Sequence, residues 1–103
     1  MFGIEVEISR FVEEAYPGWV ECVLVDADGE KHLFVEKVPV VTLEDLDARS
    51  SYPQTGVIAC EVVERKQVGD REGVKVDTMK PWLIESVDGQ SSFHVLSDQL
   101  VAR

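Results

Sequence analysis

The stretch WVECVLVDADGEKHLFVEK, residues 19–37, decides the fold class. Two segments rich in β-branched and aromatic residues flank a polar turn that contains Asp28-Gly29. Asp and Gly tolerate the positive φ angles that twist a tight turn in the sense its flanking strands require. The stretch therefore predicts two antiparallel strands joined as a hairpin.

Segments on both sides of this hairpin carry the same signals. In residues 3–9, apolar Ile4, Val6 and Ile8 alternate with polar residues, which is typical of a strand with one face in water. Strand-like residues 57–68 and 74–77 flank a polar turn and predict a second hairpin. Residues 81–87 and 92–96 flank the turn DGQS and predict a third hairpin, with Pro tolerated at the start of its first strand.

Helical signals are confined to one short segment. Thr42 precedes LEDLD, so we expect one helical turn near residues 42–47 with the Thr42 hydroxyl as its cap. Residues 49–56, RSSYPQTG, form the main irregular loop. We therefore predict an all-β fold in one domain, residues 1–103, with about six to seven strands. A small antiparallel barrel is favoured because closure removes unpaired strand edges, and a sandwich is the alternative.

The charge balance limits the classes of partner. Twenty Asp and Glu residues against ten Lys and Arg give a formal net charge of -10. Such a charge repels phosphate backbones and anionic lipids, so we expect neither nucleic acid nor membrane as a partner. A basic protein is the electrostatic alternative, although acidity also serves solubility alone. Glu5 and Glu7 interrupt the apolar run that a signal peptide needs, which predicts a cytoplasmic protein.

Motifs that would support catalysis or metal binding are weak. The acidic string of residues 26–30 runs directly into a strand, so we interpret it as a hairpin turn and predict no metal. Cys22, Cys60, His32 and His94 lack the close spacing of zinc ligands, and both cysteines lie in apolar runs typical of reduced core thiols. The chain contains no nucleophile elbow and no phosphate-binding loop, so we predict no cofactor and favour a non-enzymatic role.

Aromatic side chains are candidates for a binding surface. Tyr16 and Tyr52 each precede a proline in a predicted loop, and loop aromatics often mark binding surfaces on a rigid scaffold. Trp19 and Trp82 lie near loop ends and would line a groove at the same rim. The alternative is that these rings plug the ends of the barrel.

Acidic side chains are the second candidate surface. Glu5 and Glu7 share the outward face of the first strand, where they would contribute to an acidic wall. We therefore expect a non-enzymatic protein-binding module, for example an inhibitor or immunity-type partner of a basic protein. The alternative is a small-molecule-binding or catalytic barrel with a pocket at one end and His32 or His94 as the titrating group. Formation of a homo-oligomer stays open.

Overall fold

Antiparallel strands make up most of the protein in the computed structural model, which describes residues 1–102, except for the side chain of Val68. The elements in chain order are β1 (Phe2–Glu13), β2 (Trp19–Val25), β3 (Lys31–Lys37), α1 (Val38–Val41), β4 (Gln54–Val68), β5 (Arg71–Asp77), β6 (Ser92–Leu96), a 3-10 turn (Ser97–Gln99) and β7 (Leu100–Ala102). The predicted all-β class and the predicted strand number are confirmed.

The hairpin of β2 and β3 forms as the sequence predicts. The strands pair antiparallel, with Cys22 opposite Phe34. Gly29 has a φ of 83° and donates its N–H to the Asp26 carbonyl oxygen at 3.0 Å. A side chain at this φ would strain the backbone, so the glycine allows the tight turn.

The sheet has the order β3-β2-β1-β4-β5-β6, and β7 pairs with the first residues of β1. All strand pairs are antiparallel. The long strand β4 joins the two halves, because its first part pairs with β1 and its second part with β5. The result is a curled half-barrel.

Two backbone hydrogen bonds connect the two ends of the curled sheet. The N–H of Ala27 donates to the carbonyl oxygen of His94 in β6 at 2.9 Å. The N–H of Val87 donates to the carbonyl oxygen of Leu33 in β3 at 2.8 Å. These bonds satisfy backbone groups at the end strands, which an open sheet would leave unpaired.

The core lies on the inner side of the curl. The rings of Phe34 and Phe93 occupy it with centroids 5.6 Å apart, and both rings are buried. Cys22 and Cys60 belong to the same core as free thiols, as predicted. The other fully buried large side chains come from β1, β2, β4, β5 and β6, from α1 and from the connection between β5 and β6: Ile4, Ile8, Leu24, Ile58, Ile84, Val20, Val41, Val74, Val76 and Val95.

The α-helical turn α1 lies earlier in the chain than expected. It spans Val38–Val41, whereas Thr42 is its C-cap and has extended backbone angles. The Thr42 hydroxyl does accept a hydrogen bond, from the Glu44 N–H at 3.1 Å, but outside any helix. Val38 and Val41 are buried, so packing against the core selects this segment as the helical turn.

Among residues 1–102, no helix is long and apolar enough to cross a membrane.

The predicted third hairpin is wrong in its first strand. Residues 81–87 form turns and irregular backbone. They wrap around the fully buried Thr78, whose hydroxyl donates to the Ile84 carbonyl at 2.7 Å while the Ile84 N–H donates to the Thr78 carbonyl at 3.0 Å. Ile84 thereby reaches the core without strand pairing, and β6 pairs with β5 instead.

Candidate functional site

Two large side chains stand almost fully in solvent beside one groove. Tyr16 is 97% exposed and Leu43 is 100% exposed. Both line a surface groove of about 330 Å³, which we call the Tyr16–Leu43 groove. Its other lining residues are Pro17, Val38, Pro39, Thr42, Glu44, Asp45 and Leu46. Apolar surface gathered in one concave place is the usual mark of an interaction site, whereas single exposed apolar residues are ordinary.

The Tyr16 side of the groove is held by a tight turn. Gly18 donates its N–H to the Ala15 carbonyl at 2.7 Å, and its own carbonyl accepts from the Val38 N–H at 2.9 Å. Gly18 has a φ of 92°, and a Cβ there would lie 3.0 Å from the Phe11 ring. The turn is therefore tied to the start of α1, and Tyr16 projects from a fixed base.

The Leu43 side is held by the loop that follows α1. Leu46 is buried and anchors this loop in the core. The hydroxyl of Tyr52 donates to the Asp47 carbonyl at 2.9 Å, and the Asp47 N–H donates to the Ser50 hydroxyl at 3.0 Å. With Leu46 turned inward and the loop braced at Asp47, Leu43 is presented to solvent.

The rim of the groove is acidic. Glu44 and Asp45 line it directly. Glu13 and Glu14 precede the Tyr16 turn in the chain, and both are exposed. The carboxylates of Glu44 and Asp45 beside the apolar side chains create a negative potential that favours a cationic ligand.

The four aromatic residues predicted to line one rim have different surroundings in the structure. Tyr16 lines the groove, whereas the Tyr52 ring packs against the core and its hydroxyl bonds to Asp47. Trp19 opens β2 with the Lys37 ammonium 5.6 Å from its ring centroid. Trp82 lies in the segment between β5 and β6 and is 46% exposed. Their binding role stays a prediction, with Tyr16 at the Tyr16–Leu43 groove.

Glu5 and Glu7 are exposed on the outward face of β1. They line a second surface groove together with Val23 and Val25 of β2. Glu7 lies directly opposite Val23 in the β1–β2 register. The two carboxylates therefore border apolar side chains.

The Asp26 turn brings together three groups of the kind that bind metals. Atoms of Asp26, Glu30 and His32 lie within 4.8 Å of one another. Asp26 Oδ1 accepts from the N–H groups of Asp28 and Glu30, and Asp26 Oδ2 lies 2.8 Å from His32 Nε2. Burial raises the Asp26 pKa, but the bonds from His32 and the two N–H groups outweigh it and lower the pKa below 3.8. These contacts stabilise the turn between β2 and β3.

The two histidines have different surroundings. His32 is bound to Asp26, and its ring meets Phe93 edge-on at 4.9 Å. His94 is exposed and lines a surface groove with Lys66 and Arg71. Arg71 also lies 3.7 Å from Asp98, which offsets its charge. The small-molecule alternative therefore stays a prediction centred on His94.

Neither thiol is activated as a nucleophile. Burial, aided by the nearby carboxylates of Glu36 and Glu21, raises the pKa of Cys22 to about 12. Burial raises the pKa of Cys60 to about 11. Both thiols are therefore protonated near neutral pH, and the thiolate is the reactive form.

Sequence reasoning missed Leu43, Glu44 and Asp45 as site residues. The sequence pattern placed them only in a short helical turn near residues 42–47, with no binding role. One signal could have indicated them. Leu43 and Leu46 lie in a segment too short for a stable helix, so one leucine is enough to hold the segment against the core and the other can face solvent.

The protein is therefore an antiparallel β domain, curled into a half-barrel, whose surface carries a groove with apolar side chains and an acidic rim. No family model, curated protein or solved structure matches the chain.

Proposed function

We propose that this protein is a non-enzymatic binding module and that the Tyr16–Leu43 groove takes a basic segment of a partner protein. The near-complete exposure of Tyr16 and Leu43 beside the same groove carries the proposal. A fully exposed pair of large side chains on braced turns offers much contact area and loses little freedom on binding. Tyrosine is also among the residues that most often dominate interface energies.

Charge supports a basic partner. Glu44 and Asp45 line the groove, and the chain as a whole has a formal net charge of -10. A segment with Lys or Arg on either side of an apolar residue would pair with the rim and cover the exposed side chains. Complementary charge of this kind speeds association and excludes acidic competitors.

An inhibitor or immunity-type protein that masks a basic partner is one instance of such a module. We also infer a cytoplasmic location, which the two unpaired cysteines support because reducing compartments keep thiols free.

The test starts from a random peptide display library selected on the intact protein. We expect the selected peptides to combine Lys or Arg with an apolar residue. The best peptide is then synthesised with a fluorophore, and its affinity is measured by anisotropy. Leu43→Ser and Tyr16→Ser should each weaken binding at least tenfold, because hot-spot truncations cost about 2 kcal/mol or more.

Leu83→Ser is the matched control, since Leu83 is 75% exposed but lies in the segment before β6. It should leave the affinity unchanged, and added salt should weaken binding of the wild type. Acidic selected peptides, or equal losses from Leu43→Ser and Leu83→Ser, would rule out the proposal.

A further inference from the structure

The outer face of β4, β5 and β6 has a hollow at Gly73. Val74 and Val76 of β5 are fully buried in the core, and successive side chains of a strand point to opposite faces, so Gly73 belongs to the outer face. Gly73 is buried and lines a surface groove of about 390 Å³. It has no positive φ, and the register on both sides of it is continuous. Glycine inside a regular strand favours a close approach of another group to the backbone.

Strand register places cationic side chains around this hollow. Lys66 of β4 lies directly opposite Gly73, and Leu96 of β6 lies opposite it on the other side. Arg71 and Lys75 lie two residues before and after Gly73 in β5, so their side chains share its face. These positions are about 5 Å from Gly73 across the strands and about 7 Å along β5. Three of the four nearest positions on this face therefore carry a positive charge.

These charges are accessible to a ligand. Arg71 lies 3.7 Å from Asp98, which is too long for a direct hydrogen bond, and both side chains are more than half exposed. Glu64 lies opposite Lys75 in the register. Even so, among the described residues neither Lys66 nor Lys75 forms an ion pair. Two lysines and most of the N–H donors of Arg71 are therefore available.

The far side of the groove is formed by β6 and the turn between β2 and β3. His94, Ala27 and Asp28 complete its lining. The N–H of Ala27 donates to the His94 carbonyl, which places the turn on the side of β6 away from β5. The backbone of Asp28 is therefore about two strand spacings, roughly 10 Å, from Gly73. The cations are next to the hollow, and this carboxylate is at the border of the groove.

We propose that this groove binds a small molecule through a phosphate group that lies over Gly73. A phosphate monoester has three terminal oxygens and about two negative charges near neutral pH, which matches three cationic side chains. The missing Cβ lets the group approach β5 closely. The groove is larger than a phosphate ion, so the rest of the ligand covers Leu96.

Net charge selects a small molecule over a polyanion. The formal charge of -10 repels the further phosphates of a nucleic acid, whereas a single phosphate meets only the local cations. The site shares no lining residue with the Tyr16–Leu43 groove, so this inference does not depend on the proposed function.

Amide NMR of the isotope-labelled full chain, titrated at constant pH with phenyl phosphate, tests the proposal. The amides of Gly73 and of its strand neighbours should shift saturably, with a dissociation constant of about 1 mM or lower. Inorganic phosphate should shift the same amides but bind more weakly, because it leaves Leu96 uncovered. Acetate should bind more weakly still, because it carries a single charge.

Variants separate a built site from general attraction to positive charge. Lys66→Gln and Lys75→Gln should each weaken phenyl phosphate binding about fivefold or more, because each removes a charged hydrogen-bond donor. Gly73→Val keeps every charge but fills the hollow with a side chain that suits a strand, and it should weaken binding at least as much.

Lys37→Gln makes the same charge change at the end of β3 next to α1 and serves as the control. It should leave the dissociation constant unchanged, and the amide spectrum of each variant reports its fold. If Gly73→Val does not fold, the lysine variants decide. Unshifted amides around Gly73, equal effects of Lys66→Gln and Lys37→Gln, a folded Gly73→Val that binds like wild type, or acetate that binds as tightly as phosphate would each overturn the phosphate site.

Discussion

Replacement of Asp26 should destabilise the fold more than an exposed turn residue normally would. Asp26 Oδ1 accepts hydrogen bonds from the N–H groups of Asp28 and Glu30 at 2.9 and 3.0 Å. These bonds are exposed to water, so we assign each about 0.5 kcal/mol, the lower end of the usual range. The partly buried contact with His32 at 2.8 Å contributes about 1 kcal/mol. Asp26→Ala should therefore lower the free energy of unfolding by about 2 kcal/mol.

Asp26→Asn separates the two contributions. The amide oxygen can keep both backbone bonds, while the carboxylate contact to His32 is lost. The expected loss is about 1 kcal/mol. Urea denaturation at neutral pH, followed by the fluorescence of Trp19 and Trp82, measures both variants against wild type.

The sign of the pH dependence follows from the lowered pKa of Asp26. The native pKa lies below the ordinary value of 3.8, so the ionised carboxylate stabilises the native state at higher pH. That contribution is lost as the pH falls below 3.8 through the native pKa. The stability gap between wild type and Asp26→Ala should therefore narrow on acidification. An Asp26→Ala variant within 0.5 kcal/mol of wild type at neutral pH, or a gap that widens in acid, would refute the reasoning.

Two further predictions concern packing and thiol reactivity. A Cβ at position 56 would lie 2.8 Å from two side-chain carbons of the fully buried Ile8, so Gly56→Ala should cost about 1–3 kcal/mol in urea denaturation. Gly29→Ala meets no atom within 4 Å and should cost about 1 kcal/mol for its positive φ alone; a larger loss there than at Gly56 would contradict the packing argument. Cys22 and Cys60 have pKa values raised to about 12 and 11 and should react with a thiol reagent at pH 8 only as the fold opens. Reaction of the native protein as fast as the urea-denatured chain would count against their burial.

Local patterns predicted the elements whose partners are close in sequence. The β2–β3 hairpin needs only its own turn and its alternating residues, and Gly29 at positive φ completes it. The same logic failed for residues 81–87, because the hydrogen bonds of the buried Thr78 to Ile84 hold that segment as a loop. Burial of Thr78 depends on β5 and β6, so a sequence window around position 84 contains no sign of it.

The candidate site residues likewise include pairs that the local sequence could not distinguish. Tyr16 and Tyr52 have the same local pattern, a tyrosine before a proline, yet Tyr16 is 97% exposed and Tyr52 packs against the core. Leu43 and Leu46 are likewise similar in sequence context, but only Leu46 is buried. Composition by itself established the net charge of -10, whereas the classes of partner that this charge disfavours stay a prediction.

By itself, the sequence determined the all-β class, the β2–β3 hairpin, the outward position of Glu5 and Glu7 and the net charge of -10, because each follows from composition or from a short window. Only the tertiary structure decided which leucine faces solvent and how Glu13, Trp19 and Lys37 align across three strands. Both depend on strand register and on packing between distant segments. The burial of a side chain depends on the elements that pack around it, and the sheet order β3-β2-β1-β4 differs from the chain order and exists only in the folded protein.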